Sequence, residues 1–272
     1  MVQVNIRDQE FYIDGYMKSN LDIILNEAIP AKWDALSLYT GREGVGKTTI
    51  AFQHAFYMDP TFCLDKVVFT PDQFITAIEN AKPEDSIVWD EAITGADAKK
   101  HAQAIVIAVI SKLTQIRKKR LKIPLCFPYL EMINKFFVSR CLYMIYVYAH
   151  DFKDRGYFRF YSQPKTETIR YLMKEKFAHS PRKAYSSVLS NFYGRATKFF
   201  PIDEAEYDDK KEWSRKELDK ASSTWRERFI RTVLMVKKDD SIDLSVARIA
   251  SEIGIARQTL YELLSNFEKS ET

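Results

Sequence analysis

Gly41-Arg42-Glu43-Gly44-Val45-Gly46-Lys47-Thr48-Thr49 decides the reading of this chain. Its first eight residues match G-x-x-x-x-G-K-[ST], the loop whose backbone N–H groups cradle a polyphosphate. Gly41, Gly44 and Gly46 let the backbone turn those donors inward. Lys47 is expected to reach the β- and γ-phosphates, and the Thr48 hydroxyl to ligate Mg²⁺. Arg42, Glu43 and Val45 complete the nucleotide-binding loop, and Thr49 continues it into a helix whose N-terminus adds partial positive charge. The flanks agree. Residues 35–40, Ala-Leu-Ser-Leu-Tyr-Thr, read as a buried strand, and residues 49–57 as a helix that stops before Pro60.

About forty residues later, Ser86-Ile87-Val88-Trp89-Asp90-Glu91 is an apolar strand ending in two carboxylates. After a phosphate loop, such a strand reads as Walker B. Asp90 is expected to hold Mg²⁺ through water. Glu91 is expected to orient and deprotonate the attacking water. No Asn/Thr-Lys-x-Asp segment signals guanine selectivity, so the expected nucleotide is ATP. A Glu directly after the Walker B Asp resembles the additional-strand, catalytic-glutamate class, which includes AAA+ proteins, recombinase-like motors and the FtsK–HerA motors.

The chain has 272 residues, enough for one large or two smaller domains with a real core. Its N-terminus carries no signal-peptide core. The longest apolar stretches, 102–110 and 141–149, are about nine residues, too short for a bilayer. No membrane span is expected. Cys63, Cys126 and Cys141 lack metal-type spacing and read as buried free thiols of a reducing cytosol, so the expected location is cytoplasmic. The four histidines form no ligand cluster. Net charge is +4 but uneven: residues 112–183 hold seventeen Lys/Arg against five Asp/Glu, which points to a polyanionic partner.

Strand and helix signals alternate through the first two hundred residues, as in an α/β sheet covered on both faces. Strands are expected at 66–69, 86–91, 122–127 and 142–148, the last paired in a hairpin with 157–161 around Asp154-Arg155-Gly156. Helices are expected at 71–81 and 129–140, and one long helix or a helix pair at 97–120. This layout, over residues 20–165, resembles the FtsK–HerA superfamily, which includes Zot-like DNA-pumping ATPases. The resemblance implies a homo-oligomer such as a hexameric ring, with an arginine finger supplied by a neighbour. Arg140, closing the helix before the penultimate strand, is the first candidate and Arg117 the second. The family also implies a polar sensor at the end of the strand after Walker B. Here the sequence reads Leu125-Cys126-Phe127-Pro128, leaving Cys126 or Asn134 for that role.

From Tyr207 the chain becomes charged and helical, and 243–267 reads as a helix-turn-helix turning at Gly254. Arg257, Gln258, Thr259 and Tyr261 fall near the start of the second helix, where DNA would be met. The expected organisation is a P-loop NTPase domain with a central, mostly parallel sheet (1–205), a helical connector (206–240) and an all-α helix-turn-helix module (241–272). The function expected is that of a DNA-associated ATPase that translocates or remodels DNA for a plasmid, virus or other mobile element. The alternatives are an AAA+-like replication initiator or loader, and an ATP-gated DNA-binding regulator with little turnover.

Overall fold

The computed structural model describes residues 1–90, 98–151 and 153–217, together with Ser251, Gln258, Tyr261 and Glu262. Two compact units emerge, Met1–Lys211 and Glu212–Thr272. In the second, the described residues to 217 are helical, and Lys216 pairs with Glu212 one turn earlier at 2.6 Å. Gln258 and Tyr261 are helical and exposed. Arg257, Thr259 and the rest of the expected helix-turn-helix lie outside the described residues.

The first unit opens with a hairpin, β1 (Val2–Ile6) and β2 (Gln9–Ile13). Its two turn residues, Arg7 and Asp8, both take positive φ (50° and 61°), the geometry that matches strand twist in a two-residue turn. Helix α1 (Gly15–Ile23) follows, capped by the Asp14 carboxylate accepting from Met17 N at 3.1 Å.

The central strand β3 (Ala35–Thr40) is buried along its whole length. After it come α2 (Lys47–Met58), β4 (Val67–Val68) and α3 (Pro71–Asn80). Thr70 caps α3, and Pro71 sits in its first turn, where a missing N–H costs nothing. Then come β5 (Val88–Trp89), α4 (Ala98–Lys119), β6 (Lys122–Phe127), α5 (Lys135–Arg140) and β7 (Tyr143–Tyr148). The unit continues with β8 (Tyr157–Ser162), α6 (Gln163–Glu175), α7 (Lys183–Ser187) and β9 (Phe192–Arg195).

Seven strands form one sheet in the order β4-β5-β6-β3-β7-β8-β9. The first five are parallel, and β8 and β9 add antiparallel at the edge. Alternating side chains send the strands into two cores. Leu36 and Leu38 join one core with Trp89, Phe127 and Met144. Tyr39 joins the other with Phe52 and Phe56 of α2, Phe11 of β2 and Met17 of α1. The first unit is therefore α/β, with a central, mostly parallel sheet.

Three expectations change. Residues 129–140 do not form one helix: a 3-10 turn at Leu130–Met132 precedes α5, because the Asn134 side chain accepts from Phe136 N at 2.9 Å and starts a new helix there. The Walker B strand pairs over fewer residues than expected, with Ser86 joined only by an isolated bridge to Lys122. Cys63 is exposed rather than buried, since it lies in the loop ahead of a 3-10 turn at Leu64–Lys66.

The sheet order positions the site. The glycine loop leaves the C-terminal end of β3, and Asp90 leaves the C-terminal end of β5, with β6 between them. Ligands of open parallel sheets bind outside these carboxyl ends.

Candidate nucleotide-binding site

Gly44 and Gly46 hold φ at 75° and 101°, where a Cβ would strain the backbone. At Gly41 space is the constraint as well: a Cβ would lie 2.1 Å from the Val147 carbonyl oxygen of neighbouring β7. The loop is thus built against β7. The β7–β8 connection braces it further. Gly156 N donates to Val45 O at 3.1 Å, and Arg155 Nη1 donates to Gly44 O at 3.0 Å. Gly46 ends the loop as the left-handed N-cap of α2.

Lys47 Nζ donates to the Arg42 carbonyl at 2.7 Å, so the lysine folds back over its own loop. Thr48 Oγ1 lies 3.1 Å from both carboxylate oxygens of Asp90, across the width of β6. Asp90 is only 1% exposed. Its Oδ2 also accepts a short hydrogen bond from the Tyr207 hydroxyl. Lys211 Nζ donates to that hydroxyl at 3.3 Å and lies 5.4 Å from the Tyr207 ring centre. Between these groups opens a cleft of about 340 Å³. Glu43, Gly44, Gly46, Lys47, Thr48 and Thr49 line it from the loop and α2, and Asp90 and Cys126 from the strand ends. Arg155, Tyr207 and Lys211 also line it.

These residues fit a magnesium nucleotide. Hard divalent cations take oxygen ligands, and a hydroxyl and a carboxylate converge here. The glycine conformations leave the loop free of side chains where phosphate must approach.

Glu91 lies outside the described residues. Arg140 is not brought to the cleft. Its Nη2 pairs with Asp34 Oδ2 at 2.6 Å, and Asp34 precedes β3, so the pair marks the N-terminal edge of the sheet. Arg117 is exposed in the last turn of α4, which feeds the N-terminal end of β6 on that same edge. Of the two sensor candidates, Asn134 is spent on capping α5, whereas Cys126 lines the cleft. Burial, and then the charge of Asp90, push the Cys126 thiol well above its usual pKa, so it stands there as a neutral SH.

Tyr207, Lys211 and Arg155 were not singled out by motif. The charged Asp154-Arg155-Gly156 turn signals a hairpin, but only the β3–β7–β8 order brings Arg155 to the loop. Tyr207 has no local signal at all, being 117 residues from Asp90.

No family model matches the chain, and no curated relative matches it. Among solved structures, the N-terminal domain of zonular occludens toxin from Neisseria meningitidis is similar with a TM-score of 0.36 and 14% identity, over 61% of this chain and 96% of that one. The FIGL-1 AAA domain in complex with ADP is similar with a TM-score of 0.35 and 11% identity, over 75% of this chain and 88% of that one. Likenesses this weak transfer no function. Among the described residues, no helix is long and apolar enough to cross a membrane, and no group of three or more His, Cys, Asp or Glu is placed to hold a metal ion.

Proposed function

We propose that this chain is a magnesium-dependent ATPase that acts on DNA as a translocating or remodelling motor. The observation that carries the ATPase reading is the Thr48–Asp90 pair at the mouth of the glycine loop. Insertion of β6 between β3 and β5 also supports it, being the additional strand that the catalytic-glutamate class is named for. Thr48 and Asp90 would hold Mg²⁺, which when bound neutralises developing phosphate charge. The N–H groups around Gly44 and Gly46 take the phosphate oxygens. Lys47 exchanges the Arg42 carbonyl for phosphate. Glu91 takes the proton of the attacking water.

Support for DNA is the basic excess over residues 112–183 and the sequence pattern at 243–267, where Arg257, Gln258, Thr259 and Tyr261 would meet the duplex. Residues 1–205 form the ATPase domain of this reading, 206–240 its connector and 241–272 its helix-turn-helix. Arg140 and Arg117 enter only as fingers from a neighbouring copy in a ring, since their edge of the sheet is the far one.

The test is steady-state ATP hydrolysis with and without double-stranded DNA. Wild type is expected to turn over and to be stimulated by DNA, whereas Lys47→Ala and Glu91→Gln fall to background. Equal rates in wild type and Glu91→Gln would remove Glu91 from the mechanism. A second reading has its own observation. The Tyr207 hydroxyl and Cys126 crowd Asp90, which favours a nucleotide-gated DNA-binding regulator. Negligible turnover with ATP-dependent binding to one DNA site would select it.

A further inference from the structure

The antiparallel edge of the sheet carries a surface that the nucleotide site does not use. Register pairs Tyr146 with Arg159, and Arg159 with Tyr193. It likewise pairs Tyr148 with Tyr157, and Tyr157 with Arg195. Two rows therefore cross β7, β8 and β9 on one face, and every position in them is tyrosine or arginine. The alternate residues, Ile145, Val147, Phe158 and Phe160, belong to the core behind. On that face Tyr146 packs against the other core, its ring stacked on the buried Tyr185 at 3.8 Å, whereas Tyr148, Tyr157 and Tyr193 belong to neither core. Tyr193 is 75% exposed.

The rings lie nearly parallel. Tyr146 and Tyr148 are 6.0 Å apart at 19°, and Tyr148 and Tyr157 are 5.8 Å apart at 27°. Arg159 lies 5.6 Å from the Tyr148 ring centre, and Arg195 lies 4.7 Å from that of Tyr157 while also pairing with Asp154. Alongside run two clefts of about 510 and 430 Å³ that share Arg42, Tyr146 and Arg182. Arg155 and Tyr148 line the first, and Lys183 and His179 the second. Acids are present too: Glu43 and Asp151 line the first cleft and Glu131 the second.

We infer that this face binds single-stranded nucleic acid, with unstacked bases on Tyr148, Tyr157 and Tyr193 and phosphates on the arginines. This deepens the DNA-associated reading of the chain and rests on it for the partner class. Aromatic rings interleaved with cations on a flat sheet are the means by which proteins hold single strands, because every base presents a π-face once it is unpaired. In a duplex those faces are already stacked, and binding is dominated by phosphate neutralisation. The cationic excess here is modest, so stacking supplies much of the affinity, and that favours the single strand. Arg42 joins the two sites. It lines both clefts, and its carbonyl accepts from Lys47.

The experiment is fluorescence anisotropy of a labelled oligo(dT), and of a duplex of equal length, on the full chain without nucleotide. The single strand is expected to bind more tightly than the duplex, with a log–log salt slope of roughly −1 to −3. Tyr193→Ala is expected to weaken it by about five- to a hundredfold, and Tyr193→Phe to retain it. Tyr148→Ala and Arg159→Ala are expected to weaken it too, with circular dichroism confirming the fold. Tyr193 is exposed enough that its replacement leaves the core intact. Duplex binding at equal or greater strength, or full single-strand binding by both Tyr193→Ala and Tyr148→Ala, would overturn the inference. So would self-association of the chain through this face in place of oligonucleotide binding. With no nucleotide in the assay, a failed ATPase reading leaves its result untouched, and a failed strand-binding result leaves the nucleotide cleft standing.

Discussion

At the scale of single residues, Asp90 is the contested group. Its two oxygens serve Thr48, and one of them also takes the Tyr207 hydroxyl. A carboxylate already satisfied by a hydroxyl donor gives up that bond before its charge is fully offered to a cation. Hydrogen bonds to charged groups are worth about 1.5–3 kcal/mol. Tyr207→Phe removes the donor and keeps the ring, which packs edge-on against Phe52 at 5.5 Å. The Mg²⁺ concentration giving half-maximal ATP hydrolysis is therefore expected to fall, by about tenfold if 1.4 kcal/mol of competition is relieved. A Mg²⁺ titration at saturating ATP reads it. An unchanged midpoint would mean that Tyr207 leaves Asp90 at no cost, or serves beside the cation rather than against it.

At the scale of elements, the tie between α2 and the sheet behind it is polar as well as apolar. His54 of α2 is buried, and its Nδ1 meets the Tyr39 hydroxyl of β3 at 2.8 Å. That hydroxyl lies 3.2 Å from the Tyr143 hydroxyl of β7. Burial lowers the His54 pKa from the usual 6.5 to about 3. The unfolded chain therefore binds a proton between pH 6.5 and 3 that the folded chain refuses. Stability is whole above pH 6.5 and is lost as pH falls toward 3, by about 1.4 kcal/mol per unit. Between pH 7.5 and 5.5, wild type is expected to lose roughly 3–6 °C more in Tm than His54→Gln, which cannot charge. Parallel Tm-versus-pH curves would remove His54 as the cause. Elements such as α2 were legible because their signals are local. The bounds expected for β3 and β6 match the structure residue for residue, since parallel strands buried on both faces read as short, mostly apolar segments. The β1–β2 hairpin was not, because its turn is Arg7-Asp8 rather than a glycine pair, and because Phe11 and Ile13 acquire their meaning only against α2. The single helix expected over 129–140 failed for a related reason: Asn134 acts as a cap through its own side chain, which a count of apolar positions does not register.

At the scale of the whole first unit, the nucleotide cleft draws on segments that are distant in the chain. Gly44 to Thr49 follow β3, Asp90 follows β5, Cys126 is the penultimate residue of β6, Arg155 precedes β8, and Tyr207 and Lys211 arrive last. The late segment is held where it is by the buried Gln53 amide of α2, whose Nε2 donates to Thr197 O at 2.9 Å and to Phe199 O at 2.7 Å. Phe199 in turn stacks on Phe11 of the N-terminal hairpin at 4.4 Å. The motif residues were readable because phosphate chemistry restricts a short contiguous loop. The rest of the wall was not, because its members meet only after the sheet has closed. The same architecture gives a thermodynamic expectation. A ligand held by parts of the chain this far apart stabilises the unit as one body rather than one loop. At a concentration one hundred times its Kd, Mg²⁺–ATP is expected to contribute about 2.7 kcal/mol, because it binds the folded chain and not the unfolded one. For a unit of this size that corresponds to roughly 5–11 °C in Tm. Differential scanning calorimetry of the full chain reads the shift, which should be absent in Lys47→Ala and reduced without Mg²⁺. A shift of equal size in Lys47→Ala would place the nucleotide elsewhere on the molecule. A wild-type transition that does not move would mean that no nucleotide binds the folded cleft.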